Sequence, residues 1–464
     1  MMRALLVSAL IAISLTGTAT AQEHVFPDDA KLLELIRSRV EDGRATGLVL
    51  GVMEADGSTR IVSYGDPGAG AQPLGPDSVF EIGSVTKTFT TTLLADMVQR
   101  GDVTLDAPAQ QYTPPGLTLP TRSGKAITLA HLAEQTSGLP RLPGNLDLSA
   151  VDMTNPYAAY TTAMLNDFLG SYQLPRDPGA SFEYSNLGMG LLGNLLANRA
   201  GQTYEDLVRT RILDPLGMTS SGITLTPSMQ AHLAKGHDAA GQPTANWDLP
   251  SLAGAGALRA SMTDMLKYLD ANLGEPKNDL ERAMRLAQQP RFRMSDNAQI
   301  GLGWITITTP KGDYLYHDGG TGGYGAIVIL DPARGVGLVL LGNRTGIPED
   351  IAMHLMDPSI PLTPLPAPLA AHAEVVVPPE TLQTYTGVYT LDAAPGFKLT
   401  VTLENGQLQV QATGQQKFPV FAESQSKFFY KVVDAQITFM PAADGAPAHL
   451  ILHQGGANQK ATKQ

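Results

Sequence analysis

The chain contains no cysteine among its 464 residues. That excludes disulfides, thiolate metal ligands, a cysteine nucleophile and an N-terminal lipidated cysteine. Charge is sparse, at 16% of residues, and its balance is negative, with a net charge of −12. An acidic balance argues against nucleic acid and anionic membrane surfaces as partners. There is no H-E-x-x-H. His232 and His237 are five apart with no third ligand evident, so no metal is expected, nor a cofactor. No G-x-S-x-G occurs, so the nucleophile elbow of α/β-hydrolases is unsupported. No repeat of 20–50 residues is found either.

The one continuous apolar run of note is residues 4–15, after Arg3 and before Ala19-Thr20-Ala21. At about 12 residues it falls short of the ~20 needed to span a bilayer. With its basic start and A-x-A end it reads as a leader, 1–21, cleaved before Gln22. The expected location is then periplasmic or secreted, with no stable membrane span after cleavage; an uncleaved anchor is the alternative.

What is present fills two domains. Residues 28–42 place Leu32, Leu33, Ile36 and Val40 on one side of a helix. Residues 48–53 and 61–64 flank Ala55-Asp56-Gly57-Ser58 as a hairpin, and 300–308, 314–317, 326–330 and 336–341 read as strands. Between them, from 102 to about 272, the pattern is mostly helical. This predicts one sheet built from both ends of the region, with a helical subdomain inserted, an α+β arrangement. Prolines crowd 356–379, a semi-rigid linker. Beyond it, 380–464 alternate as short strands, with Asn405-Gly406 a strong hairpin signal, and predict a small all-β sandwich or barrel.

Candidate chemistry begins at Ser84-x-x-Lys87. Residues three apart share a helix face, and Phe89, Leu93, Leu94 and Met97 continue the helical spacing to a stop at Gly101. A serine at a buried helix N-terminus with an amine in reach suits a nucleophile; an N-cap serine with a surface lysine fits the same letters. Tyr184-Ser185-Asn186 projects a phenol and an amide from a turn. Beside Lys87 the phenol would ionise more easily and serve as a base; a turn tyrosine with an asparagine cap is the plain alternative. His317-Asp318-Gly319-Gly320 ends a strand. Glycine there marks close approach to the backbone, and the Gly320 N–H with that of Ser84 suits an oxyanion; an ordinary glycine turn fits too. Asn343-Arg344 fits either a carboxylate clamp or a capped strand end. Glu81 reads as structural and His131 as a packed core histidine.

Taken together, S-x-x-K, Y-x-N and a glycine motif on a strand edge resemble the serine β-lactamase and penicillin-binding protein superfamily. F-E-I-G-S-V-T-K followed by T-F-T is similar to the active-site segment of class C β-lactamases, departing mainly at Thr86. The segments 127–132, 135–139, Gly301-Leu302-Gly303-Trp304 and Leu341-Gly342-Asn343 carry the likeness on, over roughly 28–355. Tyr385-Thr386-Gly387-Val388-Tyr389 resembles lipocalin-like domains appended to some relatives.

The resemblance implies an antiparallel sheet flanked by helices in the β-lactamase/transpeptidase manner, with a serine hydrolase domain over 22–355 and a lipocalin-like domain over 380–464. It implies Ser84 as the acylated nucleophile, with Lys87 and Tyr184 as its bases. Asn186 would hold the substrate amide and orient Lys87, while His317, Gly319, Gly320, Asn343 and Arg344 would bind substrate. Expected substrates are small molecules or peptides: β-lactams or D-Ala peptides, or esters if the chain is a carboxylesterase. A non-turnover penicillin-binding sensor is a third reading. Where class C enzymes carry K-T-G, this chain has His317-Asp318-Gly319. Asp318 would add a negative charge and His317 would be only partly charged, so carboxylate recognition is expected to be weaker.

Overall fold

The structure, a computed structural model, describes residues 24–147, 151–364, 372–392, 397–413, 417–431, 435–442, 448–454 and 457–464. The expected leader, 1–21, and part of the expected linker, 365–371, lie outside the described residues. Two compact units divide at Leu362 and Thr363.

The first unit is built on an eight-stranded sheet. In chain order its strands are β1 (Gly47–Met53), β2 (Thr59–Gly65), β3 (Phe292–Arg293), β4 (Ala298–Ile300), β5 (Ile305–Thr309), β6 (Gly312–Gly320), β7 (Gly325–Asp331) and β8 (Val336–Gly342). They lie side by side as β2-β1-β8-β7-β6-β5-β4-β3, and each neighbouring pair is antiparallel. The two chain ends therefore meet at β1 and β8, where Leu48 faces Gly342 and Leu50 faces Leu340. Both strands are apolar throughout because both of their faces are covered. Leu48, Leu50 and Val52 pack with Leu32, Ile36, Ile351 and Leu355, from the helices Asp29–Glu41 and Glu349–Met356. Val49 and Met53 join the larger core on the other face.

The expected strand 300–308 is two strands broken at Gly301–Trp304. The reason is close approach. A Cβ at Gly301 would stand 2.6 Å from the Gln289 carbonyl, and one at Gly303 would stand 2.7 Å from Thr91 Oγ1. Thr91 belongs to α1 (Thr86–Gln99), the helix that follows Ser84. Residues Thr86–Met97 of α1 are all buried. Thr88, Thr91 and Thr92 satisfy their hydroxyls on carbonyls three or four residues back, as with Thr92 Oγ1 on the Thr88 carbonyl at 2.8 Å. Phe89 stacks on Tyr268 at 3.9 Å.

In the second unit, eight strands from Gly387–Leu391 to Ala457–Lys463 close into a barrel. Each pairs with the next, and the first pairs with the last, Tyr389 facing Lys463. Alternate residues such as Leu399, Val401, Leu408 and Val410 are buried and fill it. The Asn405-Gly406 turn has positive φ at both residues, 51° and 80°. Among the described residues no helix is long and apolar enough to cross a membrane.

Candidate active site

Ser84 lies in a 3₁₀ turn, Gly83–Val85, that feeds directly into α1. The turn exists because Gly83 takes φ +47° and because any side chain there would strike the Gly320 amide, 2.6 Å from its Cβ position. Strand β6 closes in from the other side. A Cβ at Gly319 would stand 2.1 Å from the Ile82 carbonyl and 2.8 Å from Ser84 N. Strand β5 pairs with β6 only as far as Tyr316, so His317–Gly320 run on past that ladder, beside the Ser84 turn.

One turn into the helix, Lys87 is fully buried and its Nζ donates to Ser84 Oγ at 2.8 Å and to the Ala255 carbonyl at 2.6 Å. Burial holds its pKa well below the ordinary lysine range; the Arg141 charge pushes the same way and Asp318 opposes. The Lys87 amine is 4.8 Å from the centre of the Tyr184 ring, and the Arg141 guanidinium is 5.0 Å from it. Ser84 beside the Tyr184 hydroxyl favours its ionised form. Its phenol is not made easier to ionise, contrary to expectation. Burial drives its pKa upward, Asp318 adds to it, and together they outweigh Ser84 and the Arg141 charge, which push it down.

The Tyr184-Ser185-Asn186 turn is anchored by Gln135, which takes a left-handed φ of 60°. Gln135 Oε1 accepts from Ser185 N at 2.7 Å, and Ser185 Oγ caps the helix Asn186–Ala200 through Gly188 N at 2.8 Å. Asn186 therefore opens a helix at the edge of the cleft. Contrary to expectation, it does not orient Lys87; the Ala255 carbonyl does. Among the described residues the buried Asn186 Oδ1 atom has no hydrogen-bond partner.

Ser84, Asn186, Gly83, Gly320 and Thr321 line one narrow cleft with Tyr157, Trp247, Leu249, Leu252, Ala255 and Gly256. About 20 Å³ of it is open to a water-sized sphere, room for about one ordered water.

The remaining expected residues divide. His317 is buried, and its Nδ1–H donates to the Asp318 carbonyl at 2.6 Å. Its pKa is pushed down to about 4, first by burial, so it is neutral at pH 7 rather than partly charged. Asp318 is exposed. Asn343 and Arg344 bind no cleft. Asn343 Nδ2 donates to the carbonyls of Asp66 and Lys235, each at 2.9 Å, and Arg344 is spent on the carbonyls of Gly43 and Ala239. They tie loops together, the capped-end alternative. Glu81 is structural, accepting from Asn246 Nδ2 and Trp247 N, both at 2.9 Å. His131 is a capping-box residue, its Nδ1 accepting from Thr128 N at 3.2 Å. Arg141, Tyr157 and Trp247 were not singled out from the sequence. Only Arg141 had a local signal, directly following Ser137-Gly138-Leu139-Pro140.

Residues 32–356 match a family model described as Beta-lactamase, and 371–463 match a domain of unknown function, DUF3471. The D-alanyl-D-alanine-carboxypeptidase/endopeptidase AmpH of Escherichia coli K12 is 31% identical over 366 residues, covering 74% of this chain and 92% of that one. A beta-lactamase of Pseudomonas fluorescens is 27% identical over 332 residues, covering 64% and 88%. Among solved structures, a beta-lactamase/D-alanine carboxypeptidase from Pseudomonas syringae superposes with a TM-score of 0.63 at 23% identity, covering 72% and 99%. A class C beta-lactamase from Rhodobacter sphaeroides gives 0.60 at 26%, covering 70% and 98%.

Proposed function

The chain belongs to the beta-lactamase family and is a serine hydrolase, and from that premise we propose that it hydrolyses β-lactams or D-alanyl peptides through an acyl-enzyme on Ser84. The observation that carries this is the buried Lys87 amine, inclined to be neutral and 2.8 Å from the Ser84 hydroxyl. In this reading the neutral amine takes the Ser84 proton as Oγ attacks the carbonyl. The N–H groups of Ser84 and Gly320 receive the oxyanion. Tyr184, kept as a phenol, relays the proton to the leaving nitrogen, or back from the water that later frees the acyl group. Asn186 Oδ1, buried and without a partner among the described residues, accepts the substrate amide N–H. The leader 1–21 would send the protein to the periplasm or outside, and 22–355 would hold all of the chemistry.

A carboxylesterase is the second reading, favoured by what surrounds the strand end. His317 is neutral, Asp318 is negative and Arg344 is taken by backbone carbonyls. A substrate carboxylate would find no cation on that strand. Turnover of nitrocefin, a D-Ala-D-Ala peptide and p-nitrophenyl acetate by the purified mature protein separates the two readings. Intact mass completes the test. A lasting adduct without turnover would mean a penicillin-binding sensor, and neither turnover nor an adduct on Ser84 with any substrate would end the proposal.

A further inference from the structure

One wall of the Ser84 cleft is an indole whose backbone is clamped on both sides. Trp247 N–H donates to Glu81 Oε1 at 2.9 Å, and the Trp247 carbonyl accepts from Arg259 Nη2 at 2.9 Å. Glu81 and Arg259 are 3% and 5% exposed and pair with each other at 3.2 Å. The neighbouring residues are fixed as well. Asn246 Nδ2 donates to Glu81 Oε1, and Asp248 and Asn155 exchange two hydrogen bonds at 2.8 and 2.9 Å. The ring itself meets Tyr157 edge to face at 5.1 Å. On another side it lies over Gly322, where a Cβ would stand 2.5 Å from Trp247 Nε1. The indole thus has no free direction toward the strand loop.

Glu81 sits three residues before Ser84 and pairs in register with Arg259, in the strands Val79–Glu81 and Arg259–Ser261. The segment that presents the nucleophile therefore also sets the wall that faces its substrate. The whole cleft, with Ser84, Asn186 and Gly320 on its polar side, leaves about 20 Å³, and Tyr157, Trp247, Leu249, Leu252 and Ala255 form its apolar side. A close-packed wall of this kind does not yield to extra volume without cost.

We propose that Trp247 is a size filter on the acyl group, with Glu81 as its positioning residue. The filter admits substrates whose acyl side carries a methyl-sized apolar group and rejects aromatic or branched ones. The inference rests on acylation of Ser84. A pocket discriminates by about 10- to 200-fold per methylene-sized difference, so the filter has a measurable range.

The test compares p-nitrophenyl acetate with p-nitrophenyl phenylacetate, which share a leaving group, on the full chain. Wild type prefers the acetate. Trp247→Ala raises the phenylacetate-to-acetate ratio of kcat/KM by about tenfold or more, and Glu81→Gln moves it the same way by less. A merely structural role would lower both rates and leave the ratio alone. A folded Trp247→Ala protein whose ratio is unmoved, or falls, overturns the filter; a fall would make the indole a stacking platform for aromatic acyl groups. If Trp247→Ala loses its thermal transition, Glu81→Gln decides by the same criterion. Acetate turnover that survives in Ser84→Ala defeats the acylation reading and the filter together, whereas turnover lost in Ser84→Ala with an unmoved ratio in Trp247→Ala defeats the filter alone.

Discussion

The Lys87 amine reaches back 2.8 Å to the Ser84 hydroxyl and is held in place by the Ala255 carbonyl, 168 residues away in sequence. A fully buried amine without a carboxylate partner in hydrogen-bonding contact is costly as an ammonium, so the fold favours the form that can accept a proton. Removing either partner should stop the same step. Ser84→Ala should give no covalent adduct with a β-lactam or ester in intact mass spectra. Lys87→Met keeps the apolar volume and should slow acylation by about 10³-fold or more while the thermal transition survives. A Lys87→Met protein that acylates at the wild-type rate would move the base elsewhere.

Two charges tune that amine in opposite directions, and their removal should be visible in pH profiles. Asp318 favours the ammonium and Arg141 disfavours it. On the proposed reading the neutral amine is the working form, so kcat/KM should rise with pH through the Lys87 pKa, giving an acidic limb. Asp318→Asn withdraws support for the charged form and should shift that limb to lower pH. Arg141→Gln withdraws a repulsion and should shift it to higher pH. The two limbs should therefore move in opposite directions. His317, already neutral above about pH 4, is not the source of the limb. Shifts of the same sign in both variants would separate the limb from Lys87.

Tyr184 tests whether a phenolate is needed. Burial keeps its hydroxyl protonated, so on the proposed reading its contribution is relay beside Ser84. Tyr184→Phe should lower kcat by about 10²–10³-fold, the usual worth of a positioned proton carrier. The acidic limb should stay, because it belongs to the lysine. Its disappearance in Tyr184→Phe, measured over the same pH range with the same ester, would make Tyr184 the base.

The sheet was readable because β1 and β8 are apolar on both faces, and only a strand covered on both sides tolerates that. Ser84 with Lys87, and Asn405 with Gly406, were readable because their geometry is local: three residues of helix, two of turn. What the sequence hid depends on distant chain. Asn343 and Arg344 offered the groups of a carboxylate clamp, yet carbonyls at Asp66, Lys235, Gly43 and Ala239 had already taken them. His317 looked partly charged until its burial was known. Trp247 carried no motif at all; its place in the cleft follows from Glu81 and Arg259, 166 and 12 residues away.

Gly319 is where strand and nucleophile turn come closest, and it gives a test of the backbone's part in the chemistry. A methyl group there would lie 2.1 Å from the Ile82 carbonyl, 2.8 Å from Ser84 N and 3.0 Å from Val85 N. All three are main-chain atoms, so no side chain can swing away; β6 and the turn must part. Overpacking of this kind costs about 1–3 kcal/mol of stability, which the large core of the first unit should absorb as a lowered but cooperative thermal transition. The separation carries the Gly320 N–H away from the position it would share with the Ser84 N–H on an oxyanion. Loss of one such donor is worth about 10²–10³-fold in kcat. Gly319→Ala should therefore fold, retain the Lys87 acidic limb and lose about 10²-fold or more in turnover. Near-normal turnover in a folded Gly319→Ala protein, measured with the ester at saturation, would show that the β6 amide takes no part in stabilising the transition state.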